Sequence, residues 1–332
     1  MIQEKIIALL RDREQFVREE EITGELGISA EELWAQVRRL RDNGYGIETV
    51  PHLGYRMTFI PDCLRPAEIE KNLATVKIGR SIVYSDKTSS TMDDAVRLAA
   101  EGAQEGTVAL TESQSAGRGR AGRSWFSPSG KGIYFSLLLR PQSSPAKFAL
   151  LNLLAAVAVS EAIKNVTGVV TEIKWPNDIL LDGRKAGGIL TEAGSGGPFP
   201  YVVIGVGLNV NNDIQELLPG AAAIKERIGT RIDRVALLQE VLFRMEKYYL
   251  EFCRGDYALI IGKWRGLNST LGKRVKVMLP GRMIEGEAMD IEDDGGLLVR
   301  HDSGLVEKIL AGDVIHCGTP QRGSSSAADT RA

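Results

Sequence analysis

Residues 117–132 read GRGRAGRSWFSPSGKG, and whether this string is a nucleotide fingerprint decides the fold. Its first six residues match G-x-G-x-x-G, the phosphate loop of doubly wound dinucleotide folds. That loop opens directly into a helix, with an acidic residue about 20 positions further on. Here Ser127-Pro128-Ser129-Gly130 follows instead, and no Asp or Glu lies between Gly122 and Lys147. Gly130-Lys131-Gly132 is no P-loop either, because Gly132 stands where Ser or Thr would hold magnesium and the upstream glycine is missing. What remains is a loop whose glycines allow close backbone approach, and whose Arg118, Arg120 and Arg123 add planar cationic donors. It reads as a loop closing on an anion; the alternative is a flexible surface loop with solvated arginines.

The flanking sequence predicts an α+β domain over residues 63–268. TVALTE (107–112), GIYFSLLLR (132–140), TEIKW (171–175), DILLD (178–182), AGGILTEA (186–193) and YVVIGVGLNV (201–210) have strand patterns, and residues 148–165 and 234–253 have helical ones. Strands adjacent in sequence and segregated helices imply a sheet with helices on one face. Beyond residue 268, RVKVML, RMIEGEAMDI, GLLVR and LVEKIL are joined by PG, DDGG and DSG turns, which predicts a small β-barrel over 269–317. Residues 318–332 are polar and predict a disordered tail.

Residues 1–62 predict a helix, a helix–turn–helix and a hairpin, the layout of a winged-helix DNA-binding domain. Ser29 is placed to cap the second helix of the pair, with Glu32 completing a capping box. Arg38, Arg39 and Arg41 lie toward the end of that helix; Arg38 and Arg39, with Ser29 at its start and His52 and Arg56 at the hairpin, are the candidate DNA contacts. Charge argues the other way: residues 1–60 carry eight Lys/Arg and eleven Asp/Glu, and Glu31 and Glu32 would face phosphates. A partner-binding or dimerisation module is the alternative.

Composition narrows the chemistry. The chain has 332 residues, 43% hydrophobic content and a net charge of −2, which gives no global pull toward nucleic acid or anionic membrane. The most apolar stretch, residues 148–159, reads as a buried helix rather than a membrane span. Three widely separated cysteines, Cys63, Cys253 and Cys317, suit a reducing cytoplasm. The three histidines are His52, His301 and His316, so none lies in the central region. A zinc site or a Ser/Cys–His nucleophile is thereby disfavoured there. Lysine, arginine, amide and backbone donors must carry the chemistry, which suits positioning and charge stabilisation.

Three further segments accompany the loop. KWPNDILLDGRKAGGIL (174–190) gathers Lys174, Asn177, Asp178, Lys185 and Gly188, GVGLN ends on Asn209, and Gln114 precedes the loop. Together with GRGRAGRSWFSPSG these strongly resemble the biotin–protein ligases, and with the N-terminal module the chain is similar to their bifunctional repressor type. The resemblance runs from about residue 4 to 317. It implies a class II synthetase-like mixed sheet in the centre and an SH3-like barrel at the C-terminus. It implies a two-step reaction: biotin and ATP give biotinyl-5′-AMP, and a lysine of a biotin carboxyl carrier protein then takes the biotin. Magnesium, operator DNA and an adenylate-promoted homodimer are the further expected partners.

By matching position, the resemblance assigns Ser90, Thr91 and Gln114 to the fused rings of biotin. Gly117, Arg118, Gly119 and Arg120 would fold over carboxylate and phosphate, and Trp125 would order beside the adenine and valeryl chain. Lys185 would neutralise the two anions, with Gly188 allowing close backbone approach. Asn209 would contact adenine or phosphate, Asn177 and Asp178 would suit magnesium, Asp178 would orient the incoming lysine, and Lys174 would assist with phosphate. Plainer roles stand beside these: a helix cap for Ser90 and Thr91, core for Trp125, a surface ion pair for Lys174 and Asp178, a local backbone bond for Asn209. Ala30, Ala35 and Gln36 occupy places where repressors of the family commonly carry basic residues.

Overall fold

The computed structural model describes residues 2–11, 13, 15–42, 44–59, 62–194 and 200–316, which form two compact units divided between Lys71 and Asn72. Cys317 and the polar tail read at 318–332 lie outside the described residues.

The first unit contains helices α1 (Ile2–Arg11), α2 (Glu19–Leu26) and α3 (Ala30–Asp42), a hairpin of β1 (Gly46–Val50) and β2 (Gly54–Phe59), and α4 (Pro66–Lys71). Gly27 ends α2 at φ 66°, and the Ser29 hydroxyl accepts the Glu32 N–H at 3.1 Å, the Ser29 half of the expected box. Ile6, Leu10, Ile22, Leu33, Val37 and Leu40 close a core under the hairpin residues Ile47 and Tyr55. Val17 bridges to Tyr55 so tightly that a Cβ at Gly54 would lie 1.9 Å from the Val17 carbonyl oxygen; no other residue fits.

The second unit is built on a seven-stranded sheet among the described residues. Its strands are β3 (Ile82–Thr88), β4 (Val108–Gln114), β5 (Ile133–Leu139), β6 (Glu172–Lys174), β7 (Asp178–Leu181), β8 (Arg184–Gly194) and β9 (Tyr201–Leu208). Their spatial order is β3-β4-β5-β9-β8-β7-β6, with β3 and β4 parallel and the remaining pairs antiparallel. Strand β3 escaped the sequence reading, because IVYSDKT is half polar and has one parallel neighbour.

Helix α5 (Thr91–Ala100) follows β3, while α6 (Phe148–Thr167), a short α7 (Lys225–Ile228), α8 (Arg234–Arg254) and α9 (Tyr257–Leu267) complete the helical part. Strand alternation assigns the faces. Ile189 pairs with Val206 and Gly188 with Gly207, so Ile189, Thr191, Ile204 and Val206 share one face and Gly188, Leu190, Gly205 and Gly207 the other. Thr191 bonds Asn152 of α6 on the first face. Met92 of α5 lies against Gly205 on the second, where Met92, Ala95 and Ala99 pack on Leu138 and Val203. The expectation of helices on one face is therefore corrected: helices flank both. TMDDAVRLAA is short and amphipathic, and covers only part of its face, leaving the rest to the loop and a cavity.

The helical stretch 145–167, which includes α6, is long and apolar enough to cross a bilayer by length and composition alone. Most of its residues are buried, packed against α8, α9 and the sheet. Glu246 of α8 accepts the N–H groups of Val76, Lys77 and Ile78 at 2.6, 2.7 and 2.7 Å, which ties this helix to the chain entering β3.

A five-stranded antiparallel sheet follows, made of β10 (Arg274–Leu279), β11 (Arg282–Ile291), β12 (Leu297–Arg300), β13 (Val306–Ile309) and β14 (Asp313–His316), in the order β13-β12-β11-β10-β14. It is joined to the larger sheet through Trp175, whose N–H donates to Thr270 Oγ1 and whose indole donates to the Gly295 carbonyl. The Trp175 side chain is 1% exposed and belongs to the core.

Candidate active site

The glycine–arginine loop folds back on itself. Gln114 bridges to Ser127 and Arg118 to Ser124, while the Trp125 N–H donates to the Gly117 carbonyl at 2.8 Å. The tip turns at Ala121 (φ 53°) and Gly122 (φ 73°). Gly117 has no room for a side chain, since a Cβ would stand 2.6 Å from the Trp125 carbonyl oxygen and 2.8 Å from Gln114 Nε2.

Closure of the loop lays Trp125 on the sheet where β8 and β9 carry glycines. A Cβ at Gly207 would lie 2.5 Å from the indole nitrogen, and one at Gly188 would lie 3.3 Å from its ring. The indole N–H is buried there without a protein partner, an unsatisfied donor of the kind a ligand acceptor would complete. Lys185 Nζ stands 5.5 Å from the Trp125 ring centroid.

A cavity of about 300 Å³ lies beneath the loop. Among its lining are Thr91, Gln114, Arg118, Gly119, Arg120 and Trp125. Asn177, Lys185, Gly188 and Asn209 also line it, so ten of the sequence-predicted residues converge on one space. Thr91 and Gln114 are mutually fixed: the Thr91 N–H donates to Gln114 Oε1 at 2.9 Å, and Gln114 Nε2 donates to Ser127 Oγ at 2.8 Å.

The arginines of the loop are each held by a different element. Arg118 is clasped by Asp93 of α5 and Glu192 of β8. Arg120 donates to Asn177 Oδ1 at 3.1 Å, and Arg123 pairs with Asp313 of β14 at 2.8 Å. Burial pulls the Arg120 guanidinium down from its ordinary value, opposed by the charges of Asp313 and Asp178. Lys185 bonds Asp178 at 2.5 Å, and Lys174 approaches the same carboxylate at 3.5 Å. Asn177 is pinned by donating to the Ile189 carbonyl at 2.6 Å, and Asn209 donates to the Ala222 carbonyl at 3.2 Å.

Not every expected residue faces the cavity. Ser90, Gly117, Lys174 and Asp178 do not line it. Ser90 sits at the N-cap of α5 with its hydroxyl buried and unpartnered, so it neither caps through its side chain nor reaches the space. Lys174 and Asp178 form the second layer behind Lys185. The sequence reading missed Phe126, Leu190 and Val206, and a strap from Leu217 to Ala221 that contributes to the lining. The one signal for the strap was the apolar pair Leu217-Leu218 ahead of a Pro-Gly turn.

The candidate DNA contacts belong to the first unit. Ser29 is spent on its cap, and Arg38 lies over the Trp34 ring at 5.7 Å. Arg56 pairs with Glu48 at 2.6 Å and covers Phe16, while Arg41 holds the Ile47 carbonyl. Arg39 and His52 are exposed, His52 at φ 67° in the hairpin turn.

Comparison with known proteins agrees with this geometry. Residues 84–209 match the biotin/lipoate A/B protein ligase family, and residues 270–317 match the biotin protein ligase C terminal domain. The bifunctional ligase/repressor BirA of Bacillus subtilis is 37% identical over 90% of this chain and 94% of its own. A biotin–[acetyl-CoA-carboxylase] ligase of Mycobacterium tuberculosis is 34% identical over 77% of this chain and 98% of its own. Among solved structures, the biotin protein ligase from Aquifex aeolicus in complex with biotin and ATP superposes with a TM-score of 0.64 at 29% identity, over 72% of this chain and 100% of that one. A loop of three arginines over a glycine-floored cavity, and relatives matched over nearly their full lengths, lead to one assignment: the chain belongs to the biotin protein ligase family.

Proposed function

We propose that the chain makes biotinyl-5′-AMP from biotin and ATP in the cavity under the loop, and transfers the biotin to a lysine of a carboxyl carrier protein. The observation that carries this reading is the convergence of Arg118, Arg120 and Lys185 on one cavity whose walls also include Met92, Trp125 and Leu190. Two anions and an apolar chain need such a mixture, and about 300 Å³ is of the order of a small-molecule site.

In the first step a carboxylate oxygen of biotin attacks the α-phosphorus of ATP, and pyrophosphate leaves. The cations offset the repulsion between carboxylate and phosphate, and charge stabilisation of this kind is the largest contribution in many enzymes. In the second step the neutral amine of the carrier lysine attacks the acyl carbon, AMP leaves and the amine loses a proton. Asp178 is the nearest carboxylate behind Lys185 for orienting that amine. Thr91 and Gln114 would hold the ring end of biotin, Asn209 the nucleotide, and the loop would keep water from the anhydride.

Magnesium fits here as the counter-ion of ATP. No group of three or more His, Cys, Asp or Glu suited to a metal occurs among the described residues, and Asp178 is one carboxylate shared by two lysines. Held mainly by phosphates, with Asp178 and Asn177 as protein ligands, the ion would neutralise phosphate charge.

The second reading, a biotin-responsive repressor, is favoured by the three helices and hairpin of the first unit, read as a winged helix, and by the names of the full-length relatives. Arg38, Arg39 and His52 are the exposed contacts that remain for DNA. The five-stranded sheet is read as the SH3-like barrel, and the adenylate as promoting a homodimer.

ATP-dependent transfer of labelled biotin to a purified carrier domain tests the ligase reading, with the carrier lysine replaced by alanine as control. Label must appear only with ATP and the lysine. Label accepted equally from lipoate, or none at all, would sink it. Titration of a biotin-operon promoter with the adenylate-loaded chain, at stated salt, tests the repressor reading.

A further inference from the structure

We propose that Asp313, the first residue of β14, latches the ligand loop shut and so sets how long the adenylate is retained; this rests on the ligase reading above. Asp313 does not line the cavity. Its carboxylate instead meets the two arginines that flank the loop tip, 2.8 Å from Arg123 Nη2 and 3.8 Å from Arg120 Nη1. Arg123 also donates Nε to the Arg120 carbonyl, so one carboxylate grips both ends of the strained tip at Ala121-Gly122.

The carboxylate rests on a firm base. Asp313 pairs with Met278 of β10, and Gly312 before it brings the chain so close that a Cβ there would stand 2.5 Å from Val277 Cγ1. The loop is thus fastened at three places: by Asp93 and Glu192 through Arg118, by Asn177 through Arg120, and by Asp313 through Arg123. Arg118, Arg120, Arg123 and Asn177 line the cavity, whereas Asp93, Glu192 and Asp313 stand behind its lining. Of the three carboxylates, Asp313 alone comes from the five-stranded sheet, on β14. Asp313 is therefore a positioning residue, and through it the five-stranded sheet takes part in catalysis without touching substrate.

The test separates holding the adenylate from making it. Enzyme loaded with biotin and ATP is freed of excess substrate, and loss of biotinyl-AMP is followed without carrier; pyrophosphate release and transfer to carrier are measured in parallel. Asp313→Ala should release adenylate about fivefold faster, the scale expected for one well-placed ion pair, with pyrophosphate release undiminished. Asp313→Glu should restore retention, and so should the exchange of Arg123→Asp with Asp313→Arg. Arg123→Ala gives the same leak and supplies the test should the Asp313 variants fold poorly. Retention unchanged in both alanine variants, or strictly additive leaks in the double variant, would overturn the latch alone. Wild-type chain that forms no adenylate would overturn the ligase reading and the latch together.

Discussion

Lys185 Nζ stands 2.5 Å from Asp178 Oδ1, so the cation expected to meet substrate phosphate is already paired before any substrate arrives. The pair is partly exposed, and breaking it is a modest penalty, which leaves the ammonium free to turn into the cavity it lines. Replacing Lys185 by Gln removes the charge while keeping most of the shape. Adenylate formation should fall by about 10²–10³, the range for loss of one well-placed electrostatic group. Asp178→Asn should reduce it far less. Pyrophosphate release decides, and equal losses in the two variants would show that the pair acts as one unit.

Trp125 rests on two glycines with unequal room. A methyl at Gly207 meets the indole nitrogen at 2.5 Å, whereas one at Gly188 meets the ring at 3.3 Å and Lys185 Cε at 3.2 Å. Gly207→Ala should therefore lift Trp125 from the sheet and abolish tight adenylate binding, while Gly188→Ala should weaken it only severalfold. Trp125 fluorescence titrated with biotinyl-AMP reads both, and a Gly207→Ala protein binding as wild type would refute the placement.

The carboxylate of Glu246 is saturated by three backbone donors at 2.6–2.7 Å. Hydrogen bonds to a charged acceptor contribute more than neutral ones, and losing them leaves amides stranded. Glu246→Ala should destabilise the chain by about 3 kcal/mol in urea unfolding. Saturating activity should change little, because the residue is remote from the cavity.

His316 gives a pH dependence with a definite sign. Burial, with Lys273 and Lys174 nearby, lowers its pKa from 6.5 to about 4. Between those values the unfolded chain binds a proton that the folded chain does not, so stability must decline as pH falls from 6.5 toward 4. His316→Gln should flatten that part of the melting-temperature profile; an unchanged slope would assign it to other groups.

The loop, Gly188 and most of the cavity's polar residues were legible because their chemistry is local: Gly-Arg spacing, the KWPNDI turn and the apolar run ending at Asn209 show within a few residues. What the loop arginines bind was not. Arg123 finds a partner 190 positions away, at Asp313, and no local pattern encodes such a meeting. Strand β3 was missed for a related reason, being short and half polar and taking its place from its neighbour. Ser90 shows the converse, since motif position pointed to the cavity and the turn into α5 buried its hydroxyl elsewhere.

The pairing of Gly188 with Gly207 also limits how this chain can change over time. On β8 the residues next to Gly188 are Gly187 and Ile189, and on β9 those next to Gly207 are Val206 and Leu208. A slip of one position turns Ile189 and Leu190 about, sending the branched side chain toward Trp125 and the space the ligand needs. Substitutions along β8 can be sampled one at a time, but an odd insertion or deletion between its turn and Gly188 inverts the floor of the site at a stroke. Homologous sequences should therefore vary in letter through this strand and hold constant in length, with gaps falling in the connection after Gly194 rather than before Gly188.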